Sequence, residues 1–212
     1  MALTVVLLGA ESTGKTTLAD ALGAALAGEG HRVAVVHEHL REFCERHGRT
    51  PRVDEQAAIA AEQTRRIAAA GDGHDVVVAD TAALMVAVYS DLLFADTSLY
   101  ASALEALRGD VLVLVTALDL PWVFDGLFRD GPHVQGPVNR LVRDALVRGR
   151  IDHAVVSGSG PDRLACARAA VQHRLAAPDA DRGARANPRW QWACDRCSDG
   201  DCERHLRLRL PR

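Results

Sequence analysis

Short runs of leucine and β-branched residues alternate along the chain with longer, alanine-rich stretches whose apolar positions recur at helical spacing. Residues 3 to 8, 32 to 37, 75 to 79, 111 to 116 and 154 to 157 read as five strands. Helices are predicted over 16 to 27, 40 to 47, 54 to 70, 83 to 94, 99 to 108, 138 to 148 and 162 to 176. The strand runs are apolar on both sides rather than alternating, which is the pattern of strands buried beneath helices. Strand and helix in strict succession imply an α/β fold, a five-stranded parallel sheet flanked by helices on both faces. The polar stretch from Asp119 to Pro137, with its glycines and prolines, interrupts the alternation and reads as a mobile loop.

The apolar pattern stops after residue 176. Residues 177 to 189, rich in Ala, Asp, Arg, Gly and Pro, read as a linker, and residues 190 to 212 form a separate Cys/His-rich tail. With 212 residues, 48% hydrophobic, the chain has room for one α/β domain over residues 1 to 176 and a small appendage. No apolar run approaches the roughly 20 residues that cross a bilayer, and Leu3 to Leu8 is too short for a signal peptide, so a cytoplasmic protein without a membrane partner is expected. The net charge of -3 conceals a basic tail, residues 182 to 212 carrying eight arginines against four acids. Without an aromatic-rich groove that imbalance makes a nucleic-acid partner an unfavoured reading.

The residues Gly9-Ala10-Glu11-Ser12-Thr13-Gly14-Lys15-Thr16 follow the first strand and open the first helix. The pattern G-x-x-x-x-G-K-[ST] in that setting is a phosphate-binding P-loop. Its glycines let backbone N–H groups wrap a phosphate, the helix N-terminus adds a positive dipole end, the lysine bridges β- and γ-phosphates, and the hydroxyl ligates magnesium. Gly9, Glu11, Ser12, Thr13, Gly14, Lys15, Thr16 and Thr17 are thus the expected ATP-binding residues, and the fold becomes a P-loop NTPase three-layer sandwich. Composition sharpens the assignment: the chain has twenty-four arginines and one lysine, Lys15. A planar guanidinium cannot replace a compact ammonium threaded between phosphate oxygens, so the one lysine stands where the chemistry requires it. The same scarcity excludes the guanine-selecting Asn/Thr-Lys-x-Asp loop, because Thr116-Ala117-Leu118-Asp119 has no lysine, and ATP is the expected nucleotide.

Asp80 ends the apolar run Val76-Val77-Val78-Ala79 and is the candidate second magnesium residue beside Thr16, or else a cap for the next helix. Thr81 follows it, where ATP hydrolases that drive machines place a water-orienting glutamate, and this favours group transfer over hydrolysis. Glu38, just beyond the second strand, is placed to accept a proton from an attacking hydroxyl, or else is a first-turn charge on the next helix. Arg129, Arg140 and Arg143 could close over the γ-phosphate, although exposed arginines are common here. Trp122 could stack on a flat substrate or anchor a core.

Gly9-x-Glu11-Ser12-x-Gly14-Lys15-Thr16-Thr17-Leu18, Glu38-x-x-Arg41-Glu42, Asp80-Thr81 and Pro121-Trp122-x-x-Asp125-Gly126 together resemble the ribosylnicotinamide kinase domain of the bifunctional bacterial NAD regulator NadR and its stand-alone relatives. The likeness spans about residues 3 to 176, and the P-W-x-x-D-G element is its most specific part. The resemblance implies an adenylate-kinase-like P-loop fold and a kinase of NAD metabolism that moves the γ-phosphate of ATP to the 5′-hydroxyl of nicotinamide riboside. It implies Trp122 near the nicotinamide, Glu38 and Asp80 at the ribose hydroxyl and magnesium, Arg129 and Arg140 in a lid, and Arg41 and Asp125 among the substrate-binding residues. Neither the adenylyltransferase nor the DNA-binding activity of the full regulator is carried over.

Cys194-x-x-Cys197-x4-Cys202-x-x-His205 places four ligand-type side chains within twelve residues of the tail. Three thiolates and an imidazole could close a tetrahedral Zn²⁺ site; a redox pair or disulfide, or an inert tail, are the alternatives. Two other function classes stay open beside a nicotinamide riboside kinase: a P-loop regulatory ATPase whose tail docks a partner, and a kinase for another nucleoside. The oligomeric state is not legible in the pattern.

Overall fold

The computed structural model describes residues 2–124 and 131–176. Five strands, β1 (Leu3–Leu8), β2 (Val33–Val36), β3 (Val76–Ala79), β4 (Val111–Thr116) and β5 (His153–Val156), form one parallel sheet in the order β2-β3-β1-β4-β5. Register places Val5 beside Val78 on one side and Leu112 on the other, so β1 is the central strand. The α/β, five-stranded parallel P-loop architecture expected from the alternation is therefore the one observed.

Side-chain alternation along β1 builds two cores. Val6 and Leu8 point to a layer made by helices α3 (Gln56–Ala70), α4 (Ala83–Phe94), α5 (Tyr100–Glu105) and α6 (Gln135–Gly149), which contribute Ile59, Leu84, Ala103 and Leu146. Leu3, Val5 and Leu7 point the other way, to α1 (Lys15–Gly28) and α7 (Gly160–Ala176), which supply Leu22, Leu26, Ala167 and Val171. Helix α2 (His39–His47) lies over the first layer through Leu40 and Phe43. Among the described residues no helix is long and apolar enough to cross a membrane.

Most element boundaries shift from the expected ones by a residue or two, but the stretch read as a loop from 119 to 137 differs more. A 3-10 turn occupies Pro132–Val134 and α6 starts at Gln135, three residues early. Pro137, the last residue of that stretch, falls in the first turn of α6, where its missing N–H and fixed φ carry no cost.

The strand order creates a topological switch between β1 and β4: the chain leaves β1 toward β2 and leaves β4 toward β5. A crevice therefore opens beyond the carboxyl ends of these two strands, the position at which α/β sheets bind ligands.

Candidate functional site

The P-loop fills that crevice. β1 ends at Leu8, and Gly14 with φ 74° turns the chain into α1, whose first residue is Lys15. Gly9 has φ 149°, and a Cβ built there would lie 2.1 Å from Thr116 Oγ1. Only a glycine lets the loop pass this close to the end of β4. The Thr116 hydroxyl donates to Thr13 Oγ1 at 2.7 Å and lies 3.2 Å from the Leu8 carbonyl, while Thr13 donates to the Ala10 carbonyl at 2.8 Å. These buried contacts hold the base of the loop. Lys15 Nζ donates to the Ala10 carbonyl at 2.9 Å, which draws the ammonium back across the concave side of the loop.

The crown of the loop is tied to later segments. Ser12, with φ 57°, accepts from Val123 N–H at 2.7 Å, and its Oγ lies 3.1 Å from the Val123 carbonyl. Gln135 Nε2, at the start of α6, donates to the Glu11 carbonyl at 2.8 Å. Leu120 packs against Gly14, 3.1 Å from where a Cβ would stand. The half-buried Trp122 is thereby fixed beside the phosphate loop, 6.0 Å from the Phe124 ring, with its indole Nε1 enclosed and without a hydrogen-bond partner among the described residues.

Two carboxylates stand on the β2–β3 side. Asp80 follows β3, is 3% exposed, and its backbone N–H donates to the Val36 carbonyl at 2.8 Å. The helix after it is capped at Ala82, so Asp80 is not the cap of α4. Among the described residues no hydrogen bond or ion pair engages its carboxylate. A buried charge without a protein partner is costly, and a hard oxygen donor so placed, with the Thr16 hydroxyl at the head of α1, suits a magnesium ion that keeps most of its waters. Thr81, next in the chain, has φ 105°, a strained conformation for a β-branched residue, and a buried hydroxyl without a partner among the described residues.

Glu38 occupies the N-cap position of α2 in extended conformation, but its side chain makes no capping hydrogen bond. The turn that presents it is held from below. Gln63 of α3, 1% exposed, accepts from His39 N–H at 2.8 Å and donates to the His37 carbonyl at 3.4 Å, so one buried amide grips the main chain on both sides of Glu38. Arg66 of α3 joins Glu42 of α2 at 2.7 Å and Glu62 at 2.9 Å, fastening the two helices. That guanidinium holds the Glu42 carboxyl below its ordinary range, and Arg65 with Arg66 pulls Glu62 down to about 2.

The structure thus brings Gly9 to Thr17, Glu38, Asp80 and Trp122 to one end of the sheet. Arg41 and Arg140 are exposed on α2 and α6, and Arg143 is half-buried. Asp125 and Arg129 lie outside the described residues, as do Cys194, Cys197, Cys202 and His205 with the expected zinc site. Among the described residues no group of three or more His, Cys, Asp or Glu could hold a metal ion. Sequence reasoning missed Thr116, Gln63 and Gln135. Gln63 left a signal, as an uncharged polar residue on the Ile59–Ala60 face of an alanine-rich helix.

A family model described as an AAA domain matches residues 4–163. The chain belongs to that AAA-domain family. Its fold is shared with NadR in complex with NR, at 20% identity and a TM-score of 0.70, and with NadR in complex with NAD and AMP-PNP, at 19% identity and 0.66. Each match covers 84% of this chain and 50% of the other, so the chain spans half the length of those NadR chains. Thymidylate kinase from Ehrlichia chaffeensis matches with 14% identity and a TM-score of 0.55 over 82% of this chain and 98% of that one. No curated protein matches the sequence. At these identities the likeness speaks for the fold alone, a P-loop sandwich of a parallel sheet between helices.

Proposed function

We propose that the protein is an ATP- and magnesium-dependent small-molecule kinase that phosphorylates a nucleoside, nicotinamide riboside foremost, at its 5′-hydroxyl. The observation that carries this reading is the pairing, at one crevice, of the P-loop with two carboxylates on its β2–β3 side. A triphosphate gripped by the loop amides and Lys15 would turn its terminal phosphate toward Asp80 and Glu38. Glu38, at hand for a hydroxyl entering from the β2 side, would take the proton as that oxygen attacks phosphorus. Lys15 would follow the charge that moves onto the bridging oxygen of the departing diphosphate. Thr16 and Asp80 would hold magnesium, which when bound neutralises charge on the phosphate oxygens. Thr81 follows Asp80 where a hydrolase would orient water, which favours transfer to an organic hydroxyl.

Nicotinamide riboside is preferred on two grounds. The motifs around Glu38, Asp80 and Trp122 resemble those of ribosylnicotinamide kinases, and NadR, which shares the fold, has been seen in complex with NR. Trp122, its indole N–H enclosed and its ring beside the P-loop crown, offers an aromatic surface for a flat heterocycle. The deciding experiment incubates the full chain with magnesium, γ-labelled ATP and a panel of nucleosides. Label is expected on nicotinamide mononucleotide. Transfer to a different nucleoside corrects the acceptor, and slow hydrolysis with no labelled acceptor overturns the kinase.

A further inference from the structure

The crown of the P-loop is held from outside by the segment that carries Trp122. The Ser12 hydroxyl is engaged twice by one residue, accepting from Val123 N–H at 2.7 Å and donating to the Val123 carbonyl at 3.1 Å. The side chains of Val123 and Phe124 are 59% and 61% exposed, so main-chain bonds rather than apolar packing join this residue to the loop. Leu120 rests against Gly14, and Gln135 Nε2 grips the Glu11 carbonyl from the start of α6. The near end of the segment is anchored in the β5–α7 turn. Asp119 accepts there from Gly158 N–H and from Arg163 Nη2, each at 2.6 Å. Trp122 thus stands between a fixed end and the phosphate loop, one residue before the bond to Ser12.

A phosphate on the loop draws the crown amides inward and fixes the crown. Ser12 has φ 57°, a left-handed conformation that a serine keeps only where its surroundings impose it, and here the imposing contacts are those to Val123 and, through the neighbouring Glu11 carbonyl, to Gln135. Whatever stabilises this crown therefore stabilises its bonds to Val123 and the setting of Trp122. By linkage, a ligand seated on Trp122 returns the same free energy to the phosphate site.

We propose that Ser12 is a positioning residue that couples the two substrate sites: nucleotide on the P-loop sets the Trp122 surface for the acceptor, and the two ligands bind with positive cooperativity. The inference rests on the proposed use of the loop for ATP and of Trp122 for the acceptor heterocycle. Cooperativity of this kind favours the ternary complex, in which an organic hydroxyl attacks, over the binary nucleotide complex, in which only water can.

The test uses the full chain with Trp190→Phe and Trp192→Phe, which leaves Trp122 as its one tryptophan. Calorimetry gives the Kd of nicotinamide riboside with and without saturating Mg-AMP-PNP, and the Kd of Mg-AMP-PNP with and without the riboside. Each ligand is expected to lower the Kd of the other by the same factor, about tenfold. Ser12→Ala keeps the main-chain amide and loses both bonds to Val123, and it should bring that factor to about one, whatever it does to either affinity alone. A merely structural role would change the affinities and leave the factor. A factor of one before the substitution, or an unchanged factor in folded Ser12→Ala, overturns the proposal. If that variant fails to fold, Gln135→Leu decides: the factor should fall by about threefold or more, and an unchanged one overturns the idea. Absence of riboside binding sinks the acceptor reading alone, and Trp122 fluorescence then decides the coupling. Mg-AMP-PNP should change the emission with Ser12 in place and lose that effect in Ser12→Ala; an emission blind to nucleotide, or equally responsive in both, overturns it. Absence of any AMP-PNP binding sinks both.

Discussion

The hydroxyl of Thr116 does two things, of which a valine of the same shape could do only the first. It fills the space that keeps position 9 a glycine, and its proton reaches Thr13 across the floor of the phosphate loop. Thr116→Val keeps the volume but leaves Thr13 Oγ1 without its donor and brings a methyl against polar neighbours. A loss of about 1–2 kcal/mol in urea unfolding is expected, since both oxygens are buried. ATP affinity should fall with it; an unchanged midpoint would show that the loop holds its shape without this bond. Lys15 could be read from composition alone because it has no rival in the chain, whereas Thr116 could not. A threonine ending a strand has many uses, and its contact to Thr13 spans 103 residues of sequence.

Between elements, the packing of α2 on α3 governs where Glu38 stands. Gln63 anchors the turn at 37–39, and the Glu42–Arg66–Glu62 chain anchors the helix that follows. In Gln63→Leu the main chain around Glu38 loses both grips while the P-loop is untouched. The expected result is a kcat lowered about tenfold with the KM for ATP unchanged, the signature of a misplaced proton acceptor. A rise in the ATP KM of equal size would place the effect in the loop instead. The ion pairs give a pH signature. Glu42 and Glu62 have folded pKa values below their unfolded ones, so the unfolded chain binds more protons in acid and the contribution is lost as pH falls. The Tm difference between wild type and Arg66→Met should thus be full at neutral pH and shrink between about 4.5 and about 2, where Glu62 titrates in the fold. A difference independent of pH would mean that Arg66 acts through packing of its stem. Strand and helix alternation made these elements legible, because burial beneath helices imposes the apolar runs. The start of α6 was not, because Pro137 is compatible with a helix only by standing in its first turn.

Across the whole molecule, the parallel order β2-β3-β1-β4-β5 concentrates function at one end of the sheet, where loops from all five strands converge and the hydrophobic layers stop. The same end holds the buried Asp80, the strained Thr81 and the indole of Trp122, and among the described residues the Thr81 hydroxyl and the Trp122 N–H have no hydrogen-bond partner. A ligand that meets them should stabilise the fold beyond its own contacts with the P-loop. Mg-ATP at about a hundred times its Kd adds about 2.7 kcal/mol by mass action, which for a domain of this size corresponds to a rise in Tm of about 5–10 °C. Lys15→Ala should lose most of that rise and lower phosphate transfer at least tenfold, because removing the ammonium weakens ground-state grip and transition-state charge stabilisation together. Magnesium alone should give only a small shift through Asp80, since without phosphate oxygens the ion has few ligands to gain. A scanning fluorimetry series with magnesium, ATP and both together separates these contributions. If the rise with both merely equals the sum of the rises with each, the cation and the triphosphate do not share the crevice, and Asp80 is not the metal's residue.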